Sequence, residues 1–108
     1  MTTNERVIEF MGWKKYYGKH YWCWRDSNDD TVYGEAEINF NDIDIAKLLQ
    51  AKMVADGWTI IAVWSDVGVT FSATKQPAGF PNYILKPMMD ESAALYELFL
   101  KVYDIEEG

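Results

Sequence analysis

Apolar residues along this chain alternate between the three-to-four-residue step of a helix and the two-residue step of a strand. Thr2 and Glu5 stand at the spacing of a capping box, and Val7, Ile8 and Met11 follow on one face, so a short first helix is predicted, ended by Gly12. Tyr16 to Trp24 favours extended structure, because bulky rings fit a pleated surface, with Gly18 interrupting it. Asp26 to Asp30 reads as a turn, and Thr31 to Phe40 as a returning strand, since Val32, Ala36, Ile38 and Phe40 share parity. Asn41 or Asp42 then caps a second helix with Ile45, Leu48, Leu49 and Met53 on its stripe and Gly57 at its end.

Trp58 to Trp64 and Val69 to Thr74 flank Ser65–Gly68 as a hairpin. Ile60, Ala62 and Trp64 alternate with Thr59, Ile61 and Val63, so both faces are mostly apolar. A strand of that kind is expected to be central or covered by helices on both sides. Gln76 to Asn82 is a loop, and Tyr83 to Lys86 a short edge strand. Asp90 opens the last helix after Pro87, with Leu95, Leu98, Phe99 and Val102 as core stripe. A second row, Tyr96, Leu100 and Tyr103, widens that helix's apolar surface and marks a possible interface, most simply of a two-fold homodimer. The tail from Glu106 to Gly108 is expected to fray. The pattern predicts one α+β domain over residues 1–108, a small antiparallel sheet sandwiched between helices. Its order is helix, possible hairpin, helix, hairpin, short strand, helix.

Composition sharpens this picture. Hydrophobic residues make up 49% of the chain and aromatics 16%, which excludes general disorder. Five Trp and seven Tyr exceed what a small core usually needs, so some rings are expected at an interface. The net charge of −7 repels nucleic acid and anionic membrane unless a local patch overrides it. Cys23 is the sole cysteine, which favours a reducing compartment. No signal peptide is read at the N-terminus, and no apolar run approaches the roughly 20 residues of a membrane span.

Lys14 to Arg25 is the local exception in charge: four cations, five Tyr and Trp rings and no carboxylate in twelve residues. Lys14, Lys15, Tyr16, Tyr17, Lys19, His20, Tyr21, Trp24 and Arg25 form a candidate stacking and cationic platform for a nucleotide or single-stranded nucleic acid. A strand whose rings pack inward, with its lysines in water, explains the same residues and is the favoured reading. From Asp26 to Asp44 run seven carboxylates without a Lys or Arg. That stretch mimics a phosphate backbone toward a basic partner, or serves as a solvated face with helix capping.

Asp26, Asn28, Asp30, Val32 and Glu37 fall at positions 1, 3, 5, 7 and 12 of a calcium loop, but Thr31 stands where that loop needs glycine. A polar hairpin turn accounts for the same residues. His20 and Cys23 are too few for a zinc site, and on one strand their spacing turns them to opposite faces. That geometry also weakens them as a nucleophile and base. Phosphate-binding and nucleophile-elbow motifs are missing from the sequence, so an enzyme is not expected, nor a cofactor.

Glu9-Phe10-Met11-Gly12-Trp13, Asn39 to Ala46 running on to Met53 and Asp56-Gly57-Trp58, Val69-Thr70-Phe71-Ser72, and Glu91 to Leu95 together resemble the phage ABA sandwich domain family, small proteins of phages and prophages. Lys14 to Phe40 does not match. The resemblance implies a sheet between helices and an accessory protein made in the bacterial host cytoplasm; it transfers no catalytic residue. The expected function is non-enzymatic binding of a host or phage protein, in the manner of an inhibitor or anti-defence factor. Nucleotide or single-stranded nucleic-acid binding by Lys14–Arg25 is the alternative.

Overall fold

The computed structural model describes residues 3–17, 22–25, 32–34, 38–75 and 82–105. The chain divides into two compact units, Met1–Asn39 with Ile105–Gly108, and Phe40–Asp104.

The first unit opens with helix α1 (Thr3–Phe10), which buries Val7 and Ile8. Gly12 ends it at φ 80°, its N–H donating to the Glu9 carbonyl at 2.9 Å while Trp13 donates to Ile8 at 3.3 Å. A side chain at that φ is strained, which is why glycine stands there. The capping partner Thr2 lies outside the described residues. Strands β1 (Lys14–Tyr17), β2 (Trp22–Arg25) and β3 (Val32–Gly34) form an antiparallel sheet in that order. The single strand expected over Tyr16–Trp24 is therefore two strands, paired Lys15 to Trp24 and Tyr16 to Cys23. Gly18, the interruption read in the sequence, lies outside the described residues. The strand expected from Thr31 is described only as Val32–Gly34, and Ile38 and Phe40 lie in no strand. Shared parity alone did not extend the ladder that far, because Asn39 and Asn41 favour turn geometry around Phe40.

The second unit carries helix α2 (Ile43–Ala55), strands β4 (Trp58–Ser65), β5 (Gly68–Lys75) and β6 (Tyr83–Ile84), and helix α3 (Glu91–Val102). Asp42 and Asp90 are the N-caps, each accepting from the backbone N–H two residues on, at 2.9 and 3.0 Å. Gly57 follows α2 at φ 99°. The strand order is β4-β5-β6, all antiparallel. Burial alternates cleanly along β5: Val69, Phe71 and Ala73 are buried and Thr70, Ser72 and Thr74 are not. The buried set lies on the helix side of the sheet, where α3 packs on β5, α2 packs toward β4 and the two helices pack on each other, closing the core with Leu49, Met53, Leu95, Leu98 and Phe99. The α+β class, with antiparallel sheets and three helices among the described residues, is as the sequence predicts.

β4 is not covered as its apolar pattern predicts. It lies at one end of the strand order rather than in the centre, and beyond Trp58 most of it is exposed. The reason lies in β5. That strand takes the middle position and α3 packs on it, while α2 packs toward β4; among the described residues β4 is paired with a strand on one edge only. Two apolar faces signalled surface left over, not burial.

Candidate functional site

Register places the residues of β4 on defined faces. Ile60, Ala62 and Trp64 pair with Ala73, Phe71 and Val69, and so lie on the helix side of the sheet. Thr59, Ile61, Val63 and Ser65 lie on the opposite side. Helix cover reaches Trp58, whose ring meets Tyr83 at 5.7 Å and carries the Lys75 ammonium 5.4 Å from its centroid. Trp58 pairs with Lys75 and Tyr83 with Ala73, so the two rings meet diagonally across β5. Cover fades along the strand: Ala62 is exposed and Trp64 is 62% exposed. On the opposite face, Ile61, Ser72 and Ile84 form one cross-sheet row, with Ile61 47% and Ile84 74% exposed, and Val63 beside it at 58%.

The outer edge of β4 is also defined by hydrogen bonding. Val69 exchanges two backbone bonds with Met88, at 2.8 and 2.9 Å, and Phe71 accepts from Leu85 at 3.0 Å. Residues that spend their backbone groups on the β6 side are not in hydrogen-bonded pairs with β4. Their partners Trp64 and Ala62, and Ile60 by the same alternation, therefore direct N–H and C=O outward. Trp58–Ser65 has no Lys, Arg, Asp, Glu or Pro, the residues with which natural edges are blunted. The result is an uncharged, eight-residue edge with apolar side chains on both faces.

The basic hairpin is built differently from the platform expected of it. Lys14, Lys15, Tyr17 and Arg25 are exposed, Tyr16 is half-buried, and Trp24 is buried. Lys15 lies over the Trp24 ring at 5.5 Å and Arg25 over Tyr16 at 5.0 Å. Two cations thus sit on rings of the same hairpin, and Trp24 presents no open face for a base. Lys19, His20 and Tyr21 lie outside the described residues, as do Asp26, Asn28, Asp30, Thr31 and Glu37 of the calcium pattern. Cys23 is buried.

The row Tyr96, Leu100 and Tyr103 is engaged by the fold. Leu100 is buried, Tyr96 stacks on Phe40 at 5.3 Å, and Tyr103 stacks on Phe99 at 4.6 Å. The Tyr103 hydroxyl donates to Asp56 Oδ2, at 2.5 Å, and the Lys52 ammonium lies 3.2 Å from the same oxygen and 3.3 Å from Oδ1. The Tyr103 bond first, and Lys52 after it, keep the Asp56 pKa below its ordinary value against the cost of partial burial. Burial and then Asp56 push the Tyr103 hydroxyl well above its usual range. This triad ties the C-terminal ends of α2 and α3 together, a structural task. A shallow groove of about 380 Å³ between β6 and α3 is lined by Ile84, Leu85, Lys86, Met88, Glu97 and Lys101, with no cluster of reactive groups.

Sequence reasoning missed β4 as a surface. The signal is its lack of charge beside an alternating β5; an apolar pattern on both faces, read alone, predicts double cover.

Comparison with known proteins adds little. Over 80 residues the chain is 32% identical to an isoleucine–tRNA ligase of Streptococcus mutans serotype c, a match taking in 66% of this chain. The chain spans 8% of the length of that curated relative. No family model matches. No solved structure matches.

Proposed function

We propose that this chain is a non-enzymatic binding protein that docks another protein along β4. The carrying observation is the uncharged edge of Trp58–Ser65, with Ile61, Val63 and Trp64 exposed around it. An extended segment of a partner adds to such an edge through backbone hydrogen bonds, and side-chain contacts on either face give specificity. The partner strand fitting this site is β-branched or aromatic and uncharged, with basic flanks that suit a chain of net charge −7. The resemblance to phage ABA sandwich proteins supplies a setting: a phage or prophage accessory protein in a bacterial cytoplasm, inhibiting or diverting a host or phage protein. No helix among the described residues is long and apolar enough to cross a membrane.

The test is capture from bacterial lysate by the intact chain and by an Ile61→Lys variant, read by mass spectrometry against a charge-matched control. The reading requires proteins enriched by the parent and lost with the variant. Equal recovery by both removes it.

A second reading is supported by Lys14, Lys15, Tyr17 and Arg25, exposed together on the basic hairpin, and by the partial likeness to a tRNA ligase. In it the hairpin binds a nucleotide or a single strand. Tryptophan fluorescence during titration with nucleotides and short oligonucleotides at two salt concentrations decides it: salt-sensitive quenching supports it, and an unchanged signal removes it.

A further inference from the structure

Resting on the reading of β4 as a docking edge, we infer that in the absence of a partner protein the edge is covered by β4 of a second copy, which a partner strand displaces, giving a two-fold dimer with a continuous six-stranded sheet. An antiparallel pair related by a two-fold axis keeps both copies on the same face of the sheet. Paired residues must therefore share parity. Ile60, Ala62 and Trp64, the residues directing backbone groups outward, all have that parity. With Ala62 on the axis, Ala62 faces itself, Ile60 faces Trp64 of the second copy, and Ile61 faces Val63 of the second copy.

Three observations favour a second copy as that cover. First, the register leaves no charge opposed to its like. Residues 57–65 are uncharged, and the next residue, Asp66, falls opposite Trp58 of the second copy. There the Lys75 ammonium lies 5.4 Å from the ring centroid, so an acidic hairpin tip meets a cation at each end of the interface. For chains that each carry −7, an edge without charged side chains adds no like-charge contact of its own.

Second, cover is complementary. The helix side of β4 is buried at Trp58 and open at Ala62 and Trp64. The two-fold axis sets the open end of each strand beside the covered end of the other. There α2 overlies the sheet and Val54 is 53% exposed. Third, on the opposite face the axis joins Ile61 and Val63 of both copies into one apolar row, continued outward by Ile84 on each side.

Sedimentation velocity over a dilution series tests this, with Ala62→Pro, Trp64→Glu, Ala62→Cys and Val67→Cys alongside the parent. Proline at 62 removes a donor that points away from β5, so the hairpin keeps its ladder while the edge is blocked. Trp64→Glu is a second block at an exposed position should the proline variant misfold. The expected result is a twofold rise in mass with concentration for the parent, monomer mass for the folded blocking variants, and a covalent dimer for oxidised Ala62→Cys. Val67→Cys, at an exposed hairpin tip away from the axis, stays uncross-linked. Monomer mass of the parent at every concentration overturns the inference, as does equal cross-linking of both cysteine variants. Monomer mass overturns the second-copy assignment alone if Ala62→Pro still abolishes capture of a lysate protein. It overturns the docking reading too if Ala62→Pro captures the same proteins as the parent.

Discussion

Gly68 opens β5 at φ +123°, and a Cβ built there meets the Met88 carbonyl oxygen at 2.3 Å, where ordinary contact begins near 3.4 Å. Gly68→Ala therefore carries two costs. The positive φ costs a side chain about 1–2 kcal/mol. The clash is with backbone, so the 82–90 segment must move off β5 and disturb the two Val69–Met88 hydrogen bonds, at about 1 kcal/mol each. The sum is about 3–4 kcal/mol, a large share of the ~5–15 kcal/mol typical of a domain. Gly57 is the internal control. Its φ is +99°, yet a Cβ there touches only the end of the Lys75 side chain, at 3.4 Å, so Gly57→Ala pays the dihedral cost alone. The gap of about 2 kcal/mol isolates the Met88 contact and corresponds to roughly 8–15 °C in melting temperature. Urea unfolding followed by far-UV circular dichroism measures it. Equal destabilisation by the two substitutions refutes the close approach of Met88 to the hairpin.

Other consequences follow from single contacts. Asp42→Ala and Asp90→Ala each lose an N-cap bond and lower the urea-derived stability by about 1 kcal/mol, with Asn substitution restoring most of it. Because the folded Tyr103 pKa is raised above its ordinary 10.0, its contribution is complete below that pH and declines as pH rises beyond it; Tyr103→Phe flattens that alkaline decline in a series of urea midpoints. The Asp56 pKa is depressed below 3.8, so its contribution is present above that pH and lost as pH falls, and Tyr103→Phe weakens this acid dependence too. Cys23, buried in the first unit, reacts with a thiol reagent far more slowly in native protein than in denaturant, and fast native labelling contradicts its placement.

Much of the second unit was legible because its signals are local. Asp42, Gly57, Asp90 and the alternation in β5 each fix a cap, a stop or a face without reference to distant residues. Strand order is not local, and it decided what the apolar faces of β4 meant. The same run of Ile, Val and Trp reads as a buried centre if strands flank it and as an open edge if one does not. In the basic hairpin the sequence showed cations among rings but not that Lys15 and Arg25 stack on Trp24 and Tyr16, a pairing set by register. Along α3, periodicity counted Tyr96 and Tyr103 as surplus; Phe40 and Asp56, far away in sequence, account for both.

Residue-resolved hydrogen exchange along β4 probes the open edge most directly. In dilute protein the amides of Ile60, Ala62 and Trp64, aimed outward, exchange rapidly, while those of Ile61 and Val63, bonded to β5, exchange slowly; raising the concentration slows the first set alone. Equal protection of both sets at high dilution contradicts the account, since that edge would then already be occupied by the chain itself.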